Sequence, residues 1–216
     1  MLAGIDPVRR IDGRNWTKAD VEFYEVGDLR IAVKTYRPRN LAARNTLGRW
    51  LISREASAFE AVAGIEAVPE FFGRIGPFSI ATRWVDAEPL KAHTGGRLDD
   101  EIFDRLADIV ARFHDRGVAL ADLHHRDVLL ADDGSLYVLD LATAWVAGRR
   151  PGPLRRYLFE RFCESDRVNL ARMRARFTGG DPGQAVASVS PSAAAWHRRG
   201  RRAKAFLDRL RGKGRS

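Results

Sequence analysis

The chain has 216 residues, of which 45% are hydrophobic, enough to bury a real core in one domain or two small lobes and too many for a disordered or fibrous class. A single cysteine, Cys163, excludes an internal disulfide framework and suits a reducing compartment. Residues 1–11 contain no apolar run fit for a signal peptide, and no stretch approaches the roughly 18 apolar residues of a membrane span, so a soluble or peripheral protein is expected. The formal net charge is +9, and residues 196–216 carry nine basic residues against one acid, Asp208. The body of the chain is thus close to neutral, which argues against a nucleic-acid groove in the folded part and leaves only the tail for such a role.

In chain order, residues 21–36 predict a β-hairpin. Val21, Phe23 and Tyr24 lead to a turn at Gly27-Asp28, after which Leu29, Ile31 and Val33 alternate with Arg30, Ala32 and Lys34. Lys34 therefore points away from the face that Val33 takes. A helix is expected over residues 41–64, with Leu47, Leu51, Ala58 and Phe59 on its apolar side, Glu55 along it and Gly64 as its stop. Residues 68–75 and 78–85 read as strands flanking a Gly76-Pro77 turn, and residues 86–89 as a connector.

A mostly helical half begins near Leu98. Ile102, Leu106, Ile109, Val110 and Phe113 recur at helical spacing until Gly117. A second hairpin is expected from Val128 through a turn at Asp132-Asp133-Gly134 to Leu139, followed by a helix over residues 153–177. Residues 178–195, rich in Gly, Pro, Ser and Ala, read as a flexible linker to the basic tail. In that tail Ala203, Phe206, Leu207 and Leu210 fall at helical spacing among arginines and lysines, which reads either as a basic amphipathic helix suited to an anionic membrane surface or as a disordered, solubilising tail.

The second hairpin carries the chemistry. A turn centred on Asp133-Gly134 pairs Ala131 with Leu136 and hence sets Asp127 opposite Asp140. Like charges opposed across strands are unfavourable, and a shared divalent cation is the simplest reason to keep them. Asp122, five residues before Asp127, lies in an irregular loop that delivers a third acid to the same end. Upstream, Lys34 on a strand and Glu55 on the next helix form the arrangement in which an ion pair holds a lysine toward phosphate oxygens.

These residues resemble the protein kinases. Ile31-Ala32-Val33-Lys34 is similar to the kinase strand lysine, Glu55 to its helix partner, Asp122-Leu123-His124-His125-Arg126-Asp127 to the catalytic loop, and Leu139-Asp140-Leu141-Ala142 to the metal-binding Asp-Phe-Gly segment. The literal His125-Arg126-Asp127 spells the kinase loop motif one register late. Taking Asp127 as the base would require a metal ligand at Asp132, inside the hairpin turn. Asp122 is therefore read as the base, and His125 and Arg126 as substrate or phosphate contacts.

The short segment after Asp140, the Leu-His-His loop, and Arg54-Glu55-Ala56 leading to Gly64 and Val68-Pro69 resemble the lipopolysaccharide-core (Kdo/heptose) kinase group of atypical, RIO-like kinases. The resemblance implies an α+β, bilobal protein-kinase-like fold, with an N-lobe over residues 1–87, a C-lobe over 88–177, a linker over 178–195 and a tail over 196–216. It implies ATP and Mg2+ as cofactors and phosphoryl transfer to a sugar hydroxyl of a lipid-linked acceptor at the cytoplasmic face of the bacterial inner membrane. The implied roles are catalysis for Asp122, Lys34 and Glu55, metal binding for Asp127 and Asp140, and nucleotide binding for Lys34, Gly27, Arg83, Trp84 and Val85. A protein serine/threonine kinase and a nucleotide-binding pseudokinase scaffold are the rival readings. Three departures bear on them: Asp127 stands where most kinases have Asn, Ala142 replaces a glycine, and no Gly-x-Gly-x-x-Gly loop precedes Lys34.

Overall fold

Alternating residues build the first hairpin as β2 (Asp20–Val26) and β3 (Leu29–Thr35), antiparallel, with Val21 opposite Lys34 and Val26 opposite Leu29. Gly27 makes the turn at φ +59°, a conformation that costs glycine little. The computed structural model describes residues 4–13, 18–94, 96–148 and 151–190, so the basic tail lies outside the described residues. β1 (Arg9–Ile11) adds to β2, while β5 (Ser79–Arg83) pairs with β3 and β4 (Phe71–Arg74) with β5. The result is an antiparallel sheet of order β1-β2-β3-β5-β4. β3 divides its side chains by parity. Ile31 and Val33 pack with Tyr24 and Ala81 on one face, while Ala32 and Lys34 line a cavity on the other.

The helix expected over residues 41–64 forms in three pieces: α1 (Leu41–Ala43), one π turn over Arg44–Gly48, and α2 (Arg49–Ala61). Gly48 lies against Tyr36, where a Cβ would come within 2.9 Å of the tyrosine Cβ, so the residue must be glycine for the backbone to pass. Ile52, Ala56 and Phe59 form the buried stripe of α2, and Glu55 is the charged residue within it.

The connector over residues 86–89 contains a short strand, β6 (Glu88–Pro89), which pairs with β8 (Val128–Leu130); β8 pairs in turn with β9 (Leu136–Val138). The hairpin register differs from expectation by one residue. Val128 faces Val138, and Asp127 faces Leu139, whose N–H donates to the Asp127 carbonyl at 2.7 Å. Ala131 pairs with Ser135 around a three-residue loop in which Gly134 adopts φ +83°. A three-residue loop with a left-handed glycine shifts the pairing by one relative to a loop of even length. Asp127 and Asp140 are therefore not directly opposed in the ladder.

The helical half starts with α3 (Asp100–Asp115), which buries Phe103, Leu106, Val110 and Phe113 and ends before Gly117 at φ +71°. β7 (Val118–Ala119) pairs with β10 (Trp145–Val146). α4 (Pro153–Thr178) begins with proline in its first turn and stops at left-handed Gly179. The stretch read as a linker contains a further helix, α5 (Pro182–Val189). Composition hid it: the Asp181 carboxylate caps the N–H groups of Gly183 and Gln184 at 2.5 and 3.0 Å, and Pro182 fits the first turn. One apolar cluster joins Tyr36 and Ile80 of the sheet region to Ile52 of α2, Phe103 and Phe113 of α3, Val128 of β8 and Phe177 of α4. Each large side chain fully buried there contributes about 1.5–3 kcal/mol. The fold is mixed α+β, and among the described residues no helix is long and apolar enough to cross a membrane.

Candidate active site

Sheet, helix and hairpin each bring one charged side chain to a common point. Lys34 Nζ, from β3, lies 2.9 Å from both carboxylate oxygens of Glu55 on α2 and 2.8 Å from Asp140 Oδ1 just after β9. Burial opposes the charge on Lys34, but Glu55 and Asp140 outweigh it and hold the ammonium above the ordinary lysine value. Glu55 is 2% exposed, and burial raises its carboxyl despite Lys34. Burial also acts to raise Asp140, yet Lys34 prevails and its carboxyl is lowered.

Asp127 faces the same cavity. Burial first, then the charges of Asp140 and Asp122, push its carboxyl up to about 7, partly offset by Lys34 and Lys18. Among the described residues, only Ala121 and Asp140 are non-glycine residues at positive φ, +66° and +57°. Both flank this acidic cluster, and backbone strain of this kind is held where surrounding contacts fix it.

The strain at Ala121 is a three-residue γ-turn, closed by Asp122 N–H donating to the Leu120 carbonyl at 2.8 Å. The Leu120 N–H donates at 2.8 Å to Asp166 Oδ2, on α4. Asp166 is wholly buried, and the same oxygen accepts from His114 Nε2 at 2.9 Å. Asp122 itself is exposed at the edge of the loop and outside the cavity lining.

The cavity measures about 490 Å3, within the range of small-ligand sites. Lys34, Glu55, Asp127, Asp140, Arg83, Trp84 and Val85 all line it, so seven of the nine sequence-predicted residues share one space. Arg83 is committed to Glu70 at 2.5 Å, and the Trp84 N–H donates to the Arg30 carbonyl at 3.0 Å. Val85 keeps its peptide N–H and C=O without a hydrogen bond among the described residues.

Gly27 does not line the cavity. It sits at the far end of the β2–β3 hairpin, roughly 20 Å along the strand from Lys34. The connection that reaches the cavity is the one between β1 and β2, through Ile11 and Lys18. Its base is clipped by buried Asp20, whose carboxylate accepts from Gly13 N–H at 2.8 Å, from Arg10 at 2.7 Å and from Arg39. Sequence reasoning missed Lys18, Gly13, Asp20 and Asp166. Arg9-Arg10-Ile11 has no strand alternation, so β1 and the loop after it carried no signal.

Among the described residues no group of three or more His, Cys, Asp or Glu side chains is placed to hold a metal ion alone. Asp127 and Asp140 do form a two-carboxylate donor set whose mutual repulsion is only partly balanced by lysines. That set fits Mg2+, a hard cation that takes one or two carboxylates and completes its shell with water and substrate phosphates. No family model matches the chain, and no curated protein matches it.

Proposed function

We propose that the chain is an ATP- and Mg2+-dependent phosphotransferase of bilobal, protein-kinase-like design, acting on a sugar hydroxyl of a lipid-linked, lipopolysaccharide-core-type acceptor. The observation that carries the reading is the Lys34 bridge between Glu55 and Asp140, with Asp127 in the same cavity and Asp122 just beyond it.

Lys34, oriented by Glu55, exchanges its Asp140 contact for phosphate oxygens of ATP. Asp127 and Asp140 hold Mg2+, which when bound neutralises charge on the transferring phosphoryl group. The Val85 peptide pairs with the adenine edge, and Lys18 approaches the phosphates from the β1–β2 side. Asp122 accepts the proton of the acceptor hydroxyl as its oxygen attacks the γ-phosphorus. The bond from the γ-phosphorus to the β-bridging oxygen breaks, and ADP leaves with that oxygen.

A small or lipid-linked alcohol is favoured over a protein as acceptor by the shortness of the segment between Asp140 and α4, residues 141–152. Among the described residues they form a 3-10 turn and β10, a shorter stretch than a peptide platform uses. The cytoplasmic face of the bacterial inner membrane is the corresponding place of action.

The test is Mg2+-dependent ATP consumption by wild type and Asp140→Ala, with and without a lipid-linked core-sugar extract. Turnover that needs both Asp140 and the extract supports the reading. ATP binding without turnover across varied acceptors would replace it with a nucleotide-binding scaffold.

A further inference from the structure

Helices α3, α4 and α5 line a second cavity, an open groove of about 560 Å3, which shares no lining residue with the cavity around Lys34. α5 is fastened to α4 by Val186, buried with Val168, and by the Ser190 hydroxyl, which donates to Glu164. Phe103 and Ala107 of α3, Leu170, Ala171 and Ala175 of α4 and Ala185 of α5 supply the apolar lining. Alanines on facing helices leave room for bulky side chains, so the groove suits the apolar stripe of an amphipathic segment with anchors at i, i+3, i+4 and i+7.

One rim of the groove is acidic. Asp100, Asp104 and Asp108 recur every four residues along α3, beside Phe103 and Ala107, and all three are exposed. Arg174, which lines the groove, is taken up by Asp100 at 2.7 Å and Asp104 at 2.6 Å, while Asp108 has no ion pair among the described residues. Arg167, the other cation of the lining, stands about two turns back along α4 from Arg174.

We propose that this groove seats the chain's own C-terminal segment, residues 203–210. Ala203, Phe206, Leu207 and Leu210 have the anchor spacing that the groove suits, and Lys204 and Arg211, seven residues apart on one flank of that stripe, meet the Asp104–Asp108 rim. The position of the chain selects this occupant: α5 ends at Val189, itself part of the lining, so the described chain stops at the groove's edge. Ser190 and Ala203 lie thirteen positions apart, a reach of up to about 43 Å, against roughly 17 Å of α4 between Arg167 and Thr178 along the groove. Charge selects it too, since residues 196–216 carry nine basic residues against one acid. Seated there, the segment straps α3 to α5 and covers its own apolar stripe while the Lys34 cavity stays open. None of this depends on the phosphotransferase reading.

The experiment titrates a synthetic peptide of residues 196–216 into two full-length proteins, wild type and Phe206→Ser/Leu207→Ser, and follows the backbone amide resonances of Ala107, Ala171 and Ser188. In the wild type the tethered segment competes with the peptide at an effective concentration on the order of millimolar. The expected result is that the peptide shifts these amides in the variant and needs at least about a tenfold higher concentration to do so in the wild type. The same amides already differ between the two proteins before peptide is added. In the variant background, Asp108→Lys is expected to weaken the peptide several-fold, whereas Asp28→Lys, an equal charge change in the exposed β2–β3 turn, is not.

Amides unmoved by the peptide in both proteins, equal affinity in both, or equal weakening by Asp108→Lys and Asp28→Lys overturns the proposal. A difference between wild type and variant that fades on dilution overturns it in favour of a second copy of the chain as occupant. Binding of the peptide to phosphatidylglycerol vesicles while the groove amides stay unmoved overturns it in favour of a lipid contact.

Discussion

The Leu120 peptide N–H donates to Asp166 Oδ2 at 2.8 Å, joining residues 46 positions apart. Asp166 is wholly buried in α4, so the peptide that precedes left-handed Ala121 and Asp122 is fixed from the protein interior. Replacing Asp166 by Ala orphans the Leu120 N–H and the His114 ring and is expected to cost about 3 kcal/mol in urea unfolding, with a parallel fall in turnover. Asp166→Asn, which keeps an acceptor oxygen, is expected to recover much of that stability. Unchanged urea midpoints for Asp166→Ala would show that the anchor is idle.

Lys34 balances two carboxylates, one of them 2% exposed. Lys34→Met therefore leaves Glu55 buried without a counter-charge, and a loss of about 3 kcal/mol is expected together with at least about a hundredfold fall in ATP turnover. Adding Glu55→Gln should restore stability and leave turnover low. Recovery of turnover in the double variant would mean that Lys34 is structural only.

Gly13 leaves no space for a side chain. A Cβ there would sit 2.6 Å from Arg39 Nη2 and 2.7 Å from the Ala19 carbonyl, so Gly13→Ala must open the clip at the base of the β1–β2 connection. The expected outcome is a loss of about 1–3 kcal/mol and an ATP KM raised several-fold with a smaller change in kcat. An unaltered ATP KM would separate this connection from nucleotide binding.

Asp127→Ala is expected to raise the Mg2+ concentration needed for half-maximal ATP turnover, because it removes one of two carboxylates that share the site. Asp132→Ala, in the exposed hairpin turn, is expected to leave the Mg2+ dependence where it is. A Mg2+ titration of both variants checks the register chosen for the catalytic loop. A shift for Asp132→Ala alone would reverse it.

Much of this was legible in the sequence where a local pattern and the tertiary environment agree. Ile31 and Val33 alternate with Ala32 and Lys34 and sit on opposite faces; Phe103, Leu106, Val110 and Phe113 recur at helical spacing and are buried. The order of Lys34 on a strand and Glu55 on the next helix announced an ion pair that spans 21 residues. Features fixed by distant partners gave no such sign. β1 is three exposed residues beside β2, Asp166 finds its partner 46 residues away, and Gly134 at φ +83° closes a three-residue loop that moves the hairpin by one from the register the turn composition predicts. The positive φ of Ala121 and Asp140 was likewise invisible, since neither residue type announces it.

Cys163 tests the interior by a separate chemistry. Burial first, then the nearby charge of Asp166, pushes its thiol up to about 11 from 9.0. A raised folded-state pKa favours the neutral thiol, so its contribution to stability is intact below pH 9 and lost as pH rises from 9 toward 11. Under native conditions, the rate of reaction with a disulfide reagent is expected to keep climbing through pH 9, whereas the unfolded chain levels off near its ordinary pKa. A native plateau at or below pH 9 would place the thiol in a polar setting.

The pairing of β6 with β8 also determines how the sheet is joined to the acidic hairpin. Trp84 belongs to the five-stranded sheet through its bond to the Arg30 carbonyl, and Asp86 is tethered to the same arginine at 2.5 Å. Glu88, opposite Leu130, already belongs to the hairpin that carries Asp127. On the other flank the Val138 N–H donates to the Ala67 carbonyl at 2.8 Å. The direct chain connection between the sheet and the strand beside the acidic hairpin is thus reduced to residues 85–87, with the Ala67 bond as a second link. On the phosphotransferase reading, a proline or a glycine placed there is expected to alter the rate of nucleotide exchange without touching a single charged group of the site.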